Sequence, residues 1–272
     1  MATVLLDRPM VLNDPPSDTA VHKALADIVQ TLCTAATLAA GEELLDRVTE
    51  LLAMPWACWS PDTSHPYNCA HADAFARSRG WPKELMELWR NRHAAMKMPF
   101  YIRCRFEHLP FVTTLDRRGH QRVSPEHLRI DELVHGLGIA TMLTVPLHLP
   151  KGQIAMLTWA GSRKRESLEA LLGRISGELL ALGHYFMRIY AEEIGHYSAA
   201  TEEWSRLTPR EWDCLRTLAQ GYREAEIAEL LGILKTTVRF HLDNVVKKFG
   251  CKNRTQAVAL AAQLGLLGPI GP

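Results

Sequence analysis

Residues 235–247 carry four charged side chains at four-residue steps: Lys235, Arg239, Asp243 and Lys247. Val238, Leu242, Val245 and Phe249 recur at steps of four, three and four on another side of the same stretch. At about 3.6 residues per turn, one stripe can pack into a core while the other faces outward. The outward stripe is mostly cationic, the chemistry that neutralises phosphate. The net charge of the chain is only +1, but from Gly232 onward six Lys/Arg stand against a single acid, Asp243. Residues 1–231 are therefore net acidic, and the basic tail has the electrostatic footprint of a nucleic-acid surface. The plainer reading is a solvated basic face on an interaction module.

The elements that must hold this stripe are legible around it. In "LTPRE", Thr208 can cap a helix, Pro209 suits its first turn, and Glu211 sits three residues after the cap, completing a capping box. Trp212, Leu215, Leu218 and Ala219 form the apolar face of that helix, and Gly221 ends it. A short helix carries Ile227, Ala228 and Leu231 and stops at Gly232. The basic helix follows, and then a fourth through Ala257, Val258, Leu260 and Leu264. Two helices joined by a tight glycine turn, the second of them basic, predict a helix-turn-helix.

Upstream, residues 1–20 carry Pro9, Pro15 and Pro16 and read as a loose arm. One helical pattern runs from about His22 to Leu52. "PWACWS" (55–60) is a short strand, 61–80 a loop, and 82–96 a helix with Pro82 in its first turn. Ser124 and Pro125 open a helix over 124–136. Residues 140–149 and 153–161 are β-rich and join at Pro150-Lys151-Gly152, a hairpin pattern. A helix from about Lys164 to Glu193 closes this region. The expected organisation is an arm (1–20), a first domain (21–194), a linker (195–206) and a second domain (207–272). The fold class is α+β, with an antiparallel sheet first and an all-α four-helix domain after it.

Several function classes find no support. The six cysteines form no Cys-x-x-Cys pair, and the spacing in "HPYNCAHAD" fits no common zinc pattern. No nucleophile motif or phosphate-binding loop stands out, so neither an enzyme nor a cofactor is expected. No apolar run approaches the ~18 residues of a membrane span, and Asp7, Arg8 and Pro9 interrupt the apolar start. A cytoplasmic protein with reduced thiols and no membrane partner is expected.

The motif "LTPRE…AQG…EIAELLGI…TVRFHLDNVVKKFG…RTQAVALA" resembles the DNA-binding domain of LuxR-type regulators, over about sixty residues from Leu207 to Leu267. The resemblance implies that the third helix enters the major groove of double-stranded DNA, with Thr236, Thr237 and Arg239 toward the bases. Arg239 is then the side chain able to fork onto guanine. Lys235, Lys247 and Lys248 would hold phosphates, with Lys252 and Arg254 adding to the positive cluster. Asp243 would either accept from cytosine or orient Arg239. Family members usually place Ser or Thr two residues after the turn glycine as a cap. This chain has Leu234 there, leaving Thr236 as the remaining candidate.

Residues 80–89 (GWPKELMELW), 98–105 (MPFYIRCR), 109–113 (LPFVT) and 137–161 resemble the autoinducer-binding domain of LuxR-type quorum-sensing regulators. That resemblance implies an α-β-α sandwich with a ligand between sheet and helices, a homodimer on paired half-sites, and RNA polymerase as a candidate partner. The chain departs from the family at the signal-binding positions. Met98 stands where an Asp usually accepts from the amide of an acyl-homoserine lactone. Trp89 stands for a Tyr, Leu85 for a Trp, Thr113 near another Trp, and Met142 near a Gly. Thr144 and Thr158 keep hydroxyls on the hairpin. Together with Trp56 and Trp159, these residues suggest an apolar, adaptable wall for a small apolar signal molecule. The alternative is a ligand-independent DNA-binding or partner-binding regulator whose sensor domain is filled by those same side chains.

Overall fold

The computed structural model describes residues 17–63, 69–90, 98–115, 125–195 and 207–267. The chain divides into two compact units: Met1–His148 with Ile154–Ile194, and Gly195–Pro272 with Leu149–Gln153.

The first unit is built on a four-stranded antiparallel sheet in the order β1-β4-β3-β2. Its strands are β1 (Trp56–Ser60), β2 (Phe111–Thr114), β3 (Thr141–His148) and β4 (Ile154–Gly161). The β3–β4 hairpin turns through Pro150–Gly152 as expected, with Gly152 at φ 69°, where a side chain would be strained. Helices cover both faces. Against one lie α1 (Asp18–Cys33), α2 (Leu38–Leu52) and α7 (Arg165–Glu193). On α7, Leu168, Leu171, Leu172, Ile175, Leu179, Leu182, Phe186 and Ile189 are buried at helical spacing. Gly183 brings that helix so close to Leu147 of β3 that a Cβ would sit 2.6 Å from its Cδ2. On the opposite face lie α4 (Lys83–Arg90), α5 (Pro99–Arg103) and α6 (Pro125–Gly136), while α3 (Ala70–Ser78) sits beside β1, its Phe75 against Trp59 and its Ala76 in the cluster of the opposite face. This is the α-β-α sandwich.

Three local expectations are corrected. The pattern from His22 to Leu52 is two helices, because Thr37 leaves helical geometry (φ −134°) and its side chain accepts from the Ala40 amide, starting α2 afresh. α1 begins at Asp18, capped by Ser17, within the stretch expected as an arm; residues 1–16 lie outside the described residues. The loop expected over 61–80 contains α3, whose N-terminal cap is the sulfur of Cys69, 3.4 Å from the Ala72 amide. All six cysteines are free thiols. The linker expected at 195–206 lies outside the described residues beyond Gly195.

The second unit packs α8 (Pro209–Ala219), α9 (Glu224–Leu231), α10 (Lys235–Lys248) and α11 (Arg254–Gln263). The capping box is present: Glu211 N donates to Thr208 Oγ1, and Glu211 Oε2 accepts from Thr208 N at 2.7 Å. Gly232, at φ 63°, ends α9 in the left-handed region and turns the chain into α10. Val238 and Leu242 pack with Cys214, Ile227 and Ala228. Val245 joins Leu207, Leu215, Ala257 and Ala261.

Candidate functional site

The first candidate site is the sheet face under α4, α5 and α6. Side chains alternate along a strand, so Met142, Thr144, Met156, Thr158 and Ala160 share this face with Trp56 and Cys58 of β1. Leu85, Met86, Met98, Phe100, Tyr101 and Cys104 descend onto it from the helices and form one buried apolar cluster with Met142 and Met156. Trp81, unremarked in the sequence, anchors the cluster. Its indole donates to the Ala57 carbonyl at 2.8 Å, and its ring lies between Trp56 (5.2 Å) and Trp89 (4.9 Å). Burial pushes the Cys58 and Cys104 thiols up to about 12 and the Tyr101 phenol up as well, so all three stay protonated near neutral pH.

Of the nine residues expected to touch a ligand, eight gather here and one does not. Trp159 is one residue out of phase with Thr158; its indole lies on the other face and donates to Thr49 of α2 at 3.1 Å. It belongs to the packing between sheet and α2. Thr144 and Thr158 face each other across the hairpin with their oxygens 3.3 Å apart, so both buried hydroxyls are satisfied. Trp89 Nε1 and Thr113 Oγ1 are not: both atoms are buried without a hydrogen-bond partner among the described residues. Thr113 pairs with Met142 and therefore shares this face. Leaving such groups unpaired costs roughly 1–3 kcal/mol each.

A cavity of about 50 Å³ opens beside β1, lined by Cys58, Trp59, Ser60, Ala72, Asp73, Ala76, Met86, Trp89, Tyr101 and Met156. It has room for a few waters. A pocket for a small organic ligand is typically about 300–1,000 Å³. To admit one at this cavity, side chains must move. Met86, Met98, Met142 and Met156 are unbranched and able to do so. Met86, Tyr101 and Met156 were missed from sequence, while Trp59 turns its ring to Phe186 and Tyr190 of α7. The phase of the "WACWS" strand points to Trp56 and Cys58, and the others carry no distinctive spacing.

The second candidate site is the outward side of α10. Lys235, Thr236, Arg239, Asp243 and Lys247 are exposed there, and Thr237 is half-buried. Arg239, with 62% of its side chain exposed, donates to Glu224 of α9 at 3.2 Å. Glu224 also takes Arg254 of α11, whose other nitrogen donates to Asp243 at 2.8 Å. The hydrogen bond from Arg254, with help from Arg239, holds the Glu224 carboxyl below its ordinary range. These contacts correct two expectations. Among the described residues Asp243 holds Arg254 and not Arg239, and Arg254 is tied inward, not left as a free cation. The first turn of α10 starts at Leu234 with no side-chain cap, so Thr236 does not serve as one.

Lys248 has a partner inside the unit. Its ammonium bonds Glu211 at 2.6 Å, and the Glu211 side chain is only 3% exposed. Burial pushes that carboxyl up, but Lys248 and the Thr208 amide outweigh it and hold it below its ordinary range. With the folded value depressed, this pair stabilises the unit above the unfolded carboxylate value of about 4.3 and loses its effect as pH falls through the lower folded value. Lys247, one residue away, is exposed and has no ion pair among the described residues. Lys247→Ala should leave thermal stability unchanged. Lys248→Ala strands a buried carboxylate and should destabilise the unit by roughly 1–3 kcal/mol. Thermal melts of the two variants at pH 7 check this; equal melting temperatures would contradict it.

Comparison with known proteins places these two sites in one family. Residues 205–261 match the model of bacterial regulatory proteins of the luxR family, and residues 40–189 match the autoinducer binding domain. The chain belongs to the LuxR family. The quorum sensing-dependent transcriptional regulator VjbR of Brucella ovis is 38% identical over 133 residues, 49% of this chain and 49% of VjbR. The chain thus spans about half the length of the first relatives it matches. The transcriptional activator ExpR of Dickeya dadantii is 27% identical over 198 residues, 71% of this chain and 78% of ExpR. SdiA of Escherichia coli shares the fold, with a TM-score of 0.54 at 20% identity over 91% of this chain and 99% of that one.

Proposed function

We propose that the chain is a cytoplasmic, homodimeric quorum-sensing transcriptional regulator that binds paired half-sites in double-stranded DNA through α10. The observation that carries this reading is the two-sidedness of α10: Val238, Leu242 and Val245 are fully buried, while Lys235, Arg239 and Lys247 stand exposed on the second helix of a glycine-turned pair. A helix in that setting fits the major groove, where Arg239 can fork onto guanine while Lys235 and Lys247 hold phosphates. One such helix reads few base pairs, which favours a two-fold dimer on two half-sites.

The signal we propose is a small apolar molecule other than an ordinary acyl-homoserine lactone, which makes the chain a divergent or solo member of the family. Met98 offers no acceptor for a lactone amide. The unpaired donors at Trp89 and Thr113 suit a ligand with one or two acceptors on an apolar body. The small volume beside β1 favours a second reading, a sensor unit filled by its own methionines that acts without a ligand.

Selection from a random pool of duplex DNA by the full chain tests the DNA reading. Enrichment of a two-fold symmetric sequence is expected. No enrichment, together with a monomer by light scattering, would overturn it.

A further inference from the structure

We infer that Phe240 reads the C5-methyl group of thymine in the major groove, an inference that rests on the DNA-binding role proposed for α10. Phe240 is 61% exposed; unlike Leu230 and Leu234, which are also exposed in this unit, it projects from the middle of α10. It lies two residues from Val238 and two from Leu242, both buried. At about 100° per residue this puts it about 200° round the helix from each, directly opposite the core. Thr236, Asp243 and Lys247 are exposed on the same side. Arg239, by contrast, leans to the flank where Glu224 holds it. Phe240 is thus at the centre of the outward face.

Among the described residues the ring makes one aromatic contact, edge-on to the neighbouring His241 at 5.8 Å, and it stays exposed. A phenyl group can neither donate nor accept a hydrogen bond, so it cannot read the polar edge of a base. The apolar feature that a base pair presents in the major groove is the thymine methyl, and apolar side chains contact it. Removing a methyl from such a contact weakens binding about three- to tenfold.

The test uses the duplex that the full chain selects from a random pool. Each thymine is replaced in turn by deoxyuridine, which removes only the methyl. Binding is titrated with the unmodified chain and with Phe240→Ala, which should fold normally because the ring is exposed; a thermal melt verifies this. The unmodified chain should lose about three- to tenfold at one thymine in each half-site. Phe240→Ala should bind the natural duplex more weakly by a similar factor and be indifferent to deoxyuridine at that position. Deoxyuridine that is silent everywhere, or a Phe240→Ala chain that keeps the sensitivity, overturns the inference while leaving DNA binding by α10 in place. Failure of the unmodified chain to bind any duplex overturns both.

Discussion

Replacing Arg239 by alanine should remove most of the sequence preference while leaving the second unit folded. Arg239 is the exposed arginine of α10, and losing a two-pronged contact to guanine costs roughly 1–3 kcal/mol per half-site. Over two half-sites this is roughly 30-fold to 2×10⁴-fold in affinity for the selected duplex. The fold should survive because Glu224 keeps Arg254 after Arg239 is gone, and Arg254 keeps Asp243. Non-specific binding should fall far less, since Lys235 and Lys247 remain exposed to the phosphates. Titration of the selected duplex and a scrambled one, for both chains, reads the difference. An Arg239→Ala chain with unchanged affinity and preference would remove Arg239 from the reading surface.

Restoring the family's acid by Met98→Asp should destabilise the first unit at neutral pH. Met98 is buried in the apolar cluster, so the new carboxylate loses water without gaining a cationic partner among the described residues. A countervailing effect exists, because Met98 occupies the N-cap of α5, where no side chain presently caps the helix. An aspartate there can accept from a first-turn amide and recover about 1 kcal/mol. The cost of burying the charge exceeds this, and a carboxyl so placed has its pKa raised. Its sign follows: the deficit is small below the unfolded carboxylate value of about 3.9 and grows as pH rises through the folded value. Thermal melts of both chains between pH 4 and 8 should therefore diverge upward in pH. Parallel curves would mean that the carboxylate finds a partner at this site.

The second unit was legible because its signals are local. The capping box at Thr208 and Glu211, the turn at Gly232 and the apolar spacing of α10 each lie within a few residues of one another. The pairing of Lys248 was not legible because its partner, Glu211, is 37 residues away in sequence and opens another helix. In the first unit the hairpin was visible but its faces were not. β3 is buried from Thr141 through Leu147 and β4 from Ala155 onward, so the alternation that separates inward from outward residues is missing. Trp159 was placed on the wrong side for that reason, since one residue of phase exchanges the faces. The break at Thr37 was hidden because threonine serves as a cap or as an ordinary helical residue, and tertiary packing decides between them.

On the proposed reading, occupancy of the α4–α6 face of the first unit favours the form of the chain that binds DNA. A ligand can shift that balance only by binding the competent form more tightly. The most direct measurement is the affinity of the full, unmodified chain for its selected duplex, with and without an organic extract of the cells that produce it. The extract should raise affinity about tenfold or more, within the coupling of about 1–3 kcal/mol typical of linked sites. Identical affinity in both conditions, with tight binding in each, would contradict it and leave a regulator whose sensor unit is filled by Met98, Met142 and their neighbours.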